Sequence, residues 1–335
     1  MIHAETFTIV TDQIITIEYL KKGCDIILRQ NDQTDNESTL QQINSLKKTR
    51  DATILAHNYQ LPEVQDIADI VGDSLELARA AANLESEVIV FCGVDFMAET
   101  AAVLSPEKTV ILPVADAQCP MAEMITAGEV KVLRERFPDA AVVAYVNTSA
   151  EVKAESDICC TSANAVAVVE SLDEQEIIFL PDRNLAAYVA RFTEKKILPW
   201  EGFCYVHDRI TSDDLKTARS FHPDAEVLAH PECRPEVIDL ADHVFSTSGM
   251  VRHACKSRSK EFVIGTEVGL LYQLEKRCPG KVFYPLSETA VCVNMKKTGL
   301  SDVLDSLKSL KPRIVVSGEV AIKAERAIER MLDIS

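Results

Sequence analysis

The chain has no window of eighteen consecutive apolar residues, so no segment reads as a membrane-spanning helix. Its opening stretch, MIHAETFTIVTDQ, lacks the basic start and apolar core of a secretory signal, and the expected location is the cytoplasm. Basic residues are in deficit, with 35 Lys and Arg against 52 Asp and Glu. A net charge of −17 opposes the phosphate attraction on which nucleic-acid binding rests and favours a small-molecule partner. None of the ten cysteines forms a C-x-x-C pair, and Cys159 and Cys160 are too close for both to chelate in the ordinary way. A local zinc ribbon or ferredoxin-type run is therefore excluded. In a reducing compartment these cysteines are core residues, reactive thiols or metal ligands rather than five disulfides.

What is present is one unit used three times. ILAHNYQLPEVQDIADIVGDSLELA from Ile54, VVAYVNTSAEVKAESDICCTSANAV from Val142 and VLAHPECRPEVIDLADHVFSTSGMV from Val227 follow one pattern. Each copy sets a polar ring after an apolar run (His57, Tyr145, His230) and a hydroxyl residue 17 positions later (Ser74, Ser162, Thr247). Each then closes with Lys, an apolar run, Pro and a cysteine: Cys119, Cys204 and Cys292, which stand 85 and 88 residues apart. Three cysteines of ten are thereby singled out as equivalent.

Short, non-alternating apolar runs such as TILAH (53–57), EVIVFCG (87–93) and KTVILP (108–113) have the length of strands buried on both faces. Helical spacing fills the gaps: PEVQDIADI (62–70), SLELARAAANL (74–84) and DFMAETAAVL (95–104). The alternation predicts an α/β fold of parallel sheets, with ligands beyond the carboxyl ends of the strands, where His57, Tyr145 and His230 stand. The expected division is an N-terminal extension at 1–40 and repeat domains at 41–118, 119–204 and 205–292, with 293–335 packing on the first.

Ser74, Ser162 and Thr247 each read as a helix N-cap. Units set around a pseudo-threefold axis would turn three helix N-termini toward one cavity, favouring an anionic ligand. For a lone cysteine the plain reading is a small buried apolar residue, which suits Cys24, Cys92, Cys159, Cys160, Cys255 and Cys278. Cys119, Cys204 and Cys292 would meet where the units meet. Three thiolates can hold three irons of a [4Fe–4S] cube and leave the fourth open as a Lewis acid, or make a zinc site with one open position. Cys233, in HPEC (230–233), has Gln60 and Thr148 as its counterparts, so the repeat argues against it as a ligand.

At AHNYQ (56–60), GDS (72–74), CPMAEM (119–124), AYVNTSAEVKA (144–154), CTSANA (160–165), GFCYVH (202–207), HPEC (230–233), STSGM (246–250), GTEVGLL (265–271) and CVNMKKT (292–298) the chain resembles the quinolinate synthase family of NAD biosynthesis. The resemblance runs from about residue 40 to the end. It implies three pseudo-equivalent three-layer αβα domains around a [4Fe–4S] cluster held by Cys119, Cys204 and Cys292. It further implies condensation of iminosuccinate, supplied by L-aspartate oxidase, with dihydroxyacetone phosphate to give quinolinate, phosphate and water. By motif, substrate contacts fall on His57, Ser74, Tyr145, Asn147, Ser162, His230, Glu232 and Thr247, and further active-site positions on Tyr59 and His207. The candidate acids and bases are Tyr59, Glu232, His57, His207 and His230. Two readings from other classes stand beside this one: a non-catalytic organic-acid binder with a structural metal, and a hydro-lyase acting on a different substrate.

Overall fold

The computed structural model describes residues 33–334, so the expectations placed on residues 1–32, Cys24 among them, lie outside the described residues. A helix, Gln33–Thr49, leads into the chain's main body, and the account below concerns that body.

Among the described residues, twelve strands form three sheets of four. The first holds β1 (Ala52–His57), β2 (Ile70–Gly72), β3 (Val88–Cys92) and β4 (Thr109–Ile111). The second holds β5 (Ala141–Tyr145), β6 (Ile158–Cys160), β7 (Glu176–Leu180) and β8 (Lys196–Pro199). The third holds β9 (Glu226–Ala229), β10 (His243–Val244), β11 (Glu261–Gly265) and β12 (Val282–Pro285). All pairings are parallel, and the order is the same each time, with the second strand outermost, then the first, third and fourth. These are three pseudo-equivalent αβα units.

The central strands are mostly apolar because helices cover both faces: every residue of β3 and β5 is buried. Each buried Val, Ile or Phe there contributes roughly 1.5–3 kcal/mol. The first and second units share one core with the last helix, through Ala324, Ile328 and Met331. The third unit has its own apolar clusters. Helix Leu300–Ser309 lies against β3, while helix Gly318–Asp333 lies on Ala150–Ala154 and β6 of the second unit and on Asp95–Leu104 of the first.

One polar device recurs in each unit. The aspartate before the second strand accepts the N–H of the first strand's inner residue: Asp69 from Ile54 at 2.8 Å, Asp157 from Val142 at 2.7 Å and Asp242 from Val227 at 2.8 Å. The backbone returns the bond, with each aspartate's N–H donating to the same residue's carbonyl. This clamp sets the register of a strand too short to set its own. That shortness explains a correction: PEVQDIADI is not helical to its end, since the helix stops at Ile67 and Ile70 opens β2.

Two cysteines depart from the core reading. Helices Thr247–Lys256 and Leu270–Arg277 pack together and bring the Cα atoms of Cys255 and Cys278 to 4.9 Å, within bridging range, and the pair forms a disulfide. Cys92, Cys159, Cys160 and Cys233 are buried and free, as a small apolar role requires.

Candidate active site

His57 and Tyr145 end β1 and β5, and His230 follows β9 directly, so each ring stands at the carboxyl end of the first strand of its unit. All thirteen residues singled out above line a single cavity together with Asp73 and Thr161. The hydroxyls reach it by a different route from capping. Asp73 is the N-cap of helix Ser74–Asn83 and Ser246 that of helix Thr247–Lys256, while Ser162 lies in the turn before helix Ala165–Glu170. Ser74 and Thr247 occupy the first helical position, where a side chain does not cap and is left to face the cavity.

Two histidines share a local lock. The N–H of Tyr59 donates to His57 Nδ1 at 3.2 Å, and the N–H of Glu232 donates to His230 Nδ1 at 3.3 Å. With Nδ1 accepting, the neutral ring carries its proton on Nε2 and acts as a donor. Burial, with the positive charge of Lys296 nearby, brings the His57 pKa down to about 3. Burial and His207 lower that of His230, so both rings stay neutral. A Glu232 oxygen also lies 3.3 Å from His230 Nδ1, but its nearer partner is His207 Nδ1 at 2.7 Å, and we assign the carboxylate to His207.

That contact ends a chain of four groups. Tyr59 Oη lies 2.6 Å from Thr266 Oγ1, Thr266 Oγ1 lies 2.8 Å from His207 Nε2, and His207 Nδ1 meets Glu232. The acceptor-only carboxylate fixes one order: His207 Nδ1–H donates to Glu232, Thr266 O–H donates to Nε2, and Tyr59 O–H donates to Thr266. Burial opposes ionisation of Glu232, yet the hydrogen bond from His207 Nδ1–H holds it well below the usual carboxylate range. Burial and that negative charge push the Tyr59 and Tyr145 phenols well above theirs. The site thus pairs a retained carboxylate with a retained phenol.

Cys119, Cys204 and Cys292 come one from the end of each unit and are free. Burial raises all three thiols, and neighbouring thiols or carboxylates add to it. A bound cation reverses that balance and deprotonates a ligating thiol. Three soft donors from three loops, with no protein thiol as a fourth among the described residues, fit a group that needs three thiolates and leaves one metal position open. Cys204, His207 and Glu232 also bring their donor atoms within 4.8 Å of one another. Cys233 is absent from the cavity wall and donates to Gly265 O at 3.4 Å.

Residues 41–333 match the quinolinate synthetase A protein family. The chain belongs to that family. It is 64% identical to the quinolinate synthase of Methanoregula boonei over 89% of this chain and 99% of that protein. It is 56% identical to the quinolinate synthase of Thermodesulfovibrio yellowstonii over 88% and 97%, and 53% identical to quinolinate synthase 2 of Methanosarcina acetivorans over 88% and 95%.

Within this quinolinate synthetase A fold, several working residues escaped sequence reasoning. Thr266 sits inside GTEVGLL but meets Tyr59 from 207 residues away, so no local spacing marks it. Lys153, fully buried in the second unit, donates to Thr148 O and holds the turn that presents Asn147. Lys296 donates to Tyr59 O and pairs with Glu267 at 3.1 Å. Gly269 is required there, because a Cβ would come within 2.5 Å of Lys296 Nζ and 2.8 Å of Tyr59 O.

Proposed function

We propose that the protein is a quinolinate synthase of NAD biosynthesis, joining iminosuccinate to dihydroxyacetone phosphate with carbon–carbon bond formation, dehydration and cyclisation to give quinolinate, phosphate and water. The observation that carries this reading is a pair of buried, unpartnered polar atoms, Asn147 Oδ1 and Glu232 Oε1, on side chains that share their cavity with three cysteines. Buried polar atoms in native proteins are nearly always paired, so two left open at one site mark where a polar ligand completes them.

His57 Nε2–H, Tyr145 O–H and His230 Nε2–H, with the hydroxyls of Ser74, Ser162 and Thr247, surround that position as donors for carboxylate and phosphate oxygens. A [4Fe–4S] cluster on Cys119, Cys204 and Cys292 would supply a Lewis acid for a substrate oxygen. Glu232, kept ionised, takes a proton from substrate at Oε1, the oxygen His207 leaves free. Tyr59, kept protonated, gives a proton, and the hydrogen-bonded chain through Thr266 and His207 holds the phenol and the carboxylate in place.

The work falls in the cytoplasm, with L-aspartate oxidase as the source of the imine. The test is to supply iminosuccinate and dihydroxyacetone phosphate anaerobically to iron- and sulfide-loaded protein beside a panel of hydroxy acids. Quinolinate formation from the pair alone is expected. Dehydration of a hydroxy acid instead would establish a hydro-lyase, and no quinolinate from the loaded protein, with organic-acid binding retained after metal removal, would establish a binding protein.

A further inference from the structure

Each of the three cysteines has a carboxylate partner behind it, Asp182 and Glu267 fully buried and Asp95 half-buried. Asp95 Oδ1 accepts the Cys119 N–H at 3.1 Å, Asp182 Oδ2 accepts the Cys204 N–H at 3.0 Å and Glu267 Oε1 accepts the Cys292 N–H at 3.1 Å. Each acid stands just past the third strand of its unit, at the exits of β3, β7 and β11. Each also holds a second N–H of that exit: Phe96 at 2.8 Å, Leu185 at 2.7 Å and Gly269 at 2.7 Å. A backbone bond runs alongside in every copy, to the carbonyl two residues before the cysteine. Asp95 N–H donates to Ala117 O at 2.9 Å, Arg183 N–H to Gly202 O at 2.9 Å and Val268 N–H to Ala290 O at 3.0 Å. At Gly202 the two segments run so close that a Cβ would lie 2.5 Å from Pro181 O.

We propose that Asp95, Asp182 and Glu267 are positioning residues, a carboxylate clamp repeated once per unit, that presets Cys119, Cys204 and Cys292 before any metal is bound. The purpose of the clamp rests on the cluster reading above; its existence does not. An acid suits the task because Asp182 and Glu267 use one oxygen for the cysteine loop and the other for the strand exit, and only a carboxylate accepts at both. An amide of the same shape accepts at one end and sets an N–H₂ against an N–H at the other. Asp95 uses a single oxygen for both bonds, so an amide there can keep them. The three sites therefore differ in what the same substitution does. A preset thiol set lowers the ordering cost of metal capture, as supporting contacts behind metal ligands do elsewhere.

The test uses the full-length chain with Asp182→Asn, Glu267→Gln and Asp95→Asn, each checked for an unchanged circular dichroism spectrum. In metal-free protein, haloacetamide labelling of each thiol is followed by mass spectrometry. Asp182→Asn is expected to speed labelling of Cys204 on the order of tenfold while leaving Cys119 and Cys292 unchanged, the loss of one hydrogen bond to a charged group. Glu267→Gln is expected to act on Cys292 alone, and Asp95→Asn to have the smallest effect. In iron- and sulfide-loaded protein the same order is expected for the rate of iron loss to a chelator. Equal labelling rates in all variants, or a rise at all three thiols together, would overturn the clamp. Should Asp182→Asn fail to fold, Glu267→Gln carries the same decision. Wild-type protein that takes up no iron and sulfide would defeat the cluster reading, and the labelling result would still decide the clamp.

Discussion

The first and third units differ from the second at the one place where their strands end on the cavity. In the first and third, a histidine is locked by the N–H of the residue two positions on, and that residue, Tyr59 or Glu232, belongs to the proton chain with Thr266 and His207. The second unit carries Tyr145 in place of the histidine and Asn147 in place of the acid or phenol, and Asn147 Oδ1 has no partner. A frame repeated three times thus holds the two ends of one hydrogen-bonded chain on two sides and an unpartnered amide oxygen on the third. The shared positions build the cavity; the unshared ones give it a direction, which an asymmetric substrate requires.

This contrast can be broken by substitution. Tyr59→Phe and Glu232→Gln should each lower kcat by about 10²–10⁴-fold with little change in KM and no loss of bound iron. Asn147→Ala should do the reverse, raising KM about tenfold through one lost polar contact while kcat falls much less. Equal loss of kcat at Asn147 would erase the distinction between the sides. Thr266→Val should cost about 10–100-fold in kcat, with Thr266→Ser restoring most of it, because the hydroxyl makes the two short links between Tyr59 and His207, whose direct contact is 3.5 Å.

The same contrast appears in the pH dependence of stability. A buried His57 with its pKa held at about 3 binds fewer protons than the unfolded chain below the ordinary value of 6.5. Its contribution is complete above pH 6.5 and is lost as pH falls toward 3, by about 2 kcal/mol between pH 7 and pH 5. Urea unfolding of metal-free protein should show this loss, and His57→Gln should flatten the curve in that window. Tyr145→Phe should not, since a phenol does not titrate there. The smallest effects belong to the frame: Asp69→Ala, Asp157→Ala and Asp242→Ala should each cost about 1–3 kcal/mol, of similar size in all three units.

What the sequence revealed follows the same division. Strand ends, closing cysteines and the parallel α/β order were legible because the repeat writes each of them three times. The second strands were not, since β2, β6 and β10 are two or three residues long and leave no periodic trace. Ser74 and Thr247 stand at helix starts but one position past the cap, because Asp73 and Ser246 precede them and are capping types themselves, whereas Ser162 falls in the turn before its helix, whose N-cap is Asn164. Thr266 and the Cys255–Cys278 bridge depend on how separate elements pack, which single-unit spacing does not encode.

The central claim is that the three closing cysteines act as one metal site. Anaerobic purification with iron and sulfide analysis, on wild type and on Cys119→Ser, Cys204→Ser, Cys292→Ser and Cys233→Ala, tests it most directly. The account predicts about four irons and four sulfides per chain in wild type and Cys233→Ala, and loss of the cluster with each of the other three. Retention of the full complement in any one of those three, or its loss in Cys233→Ala, would contradict it.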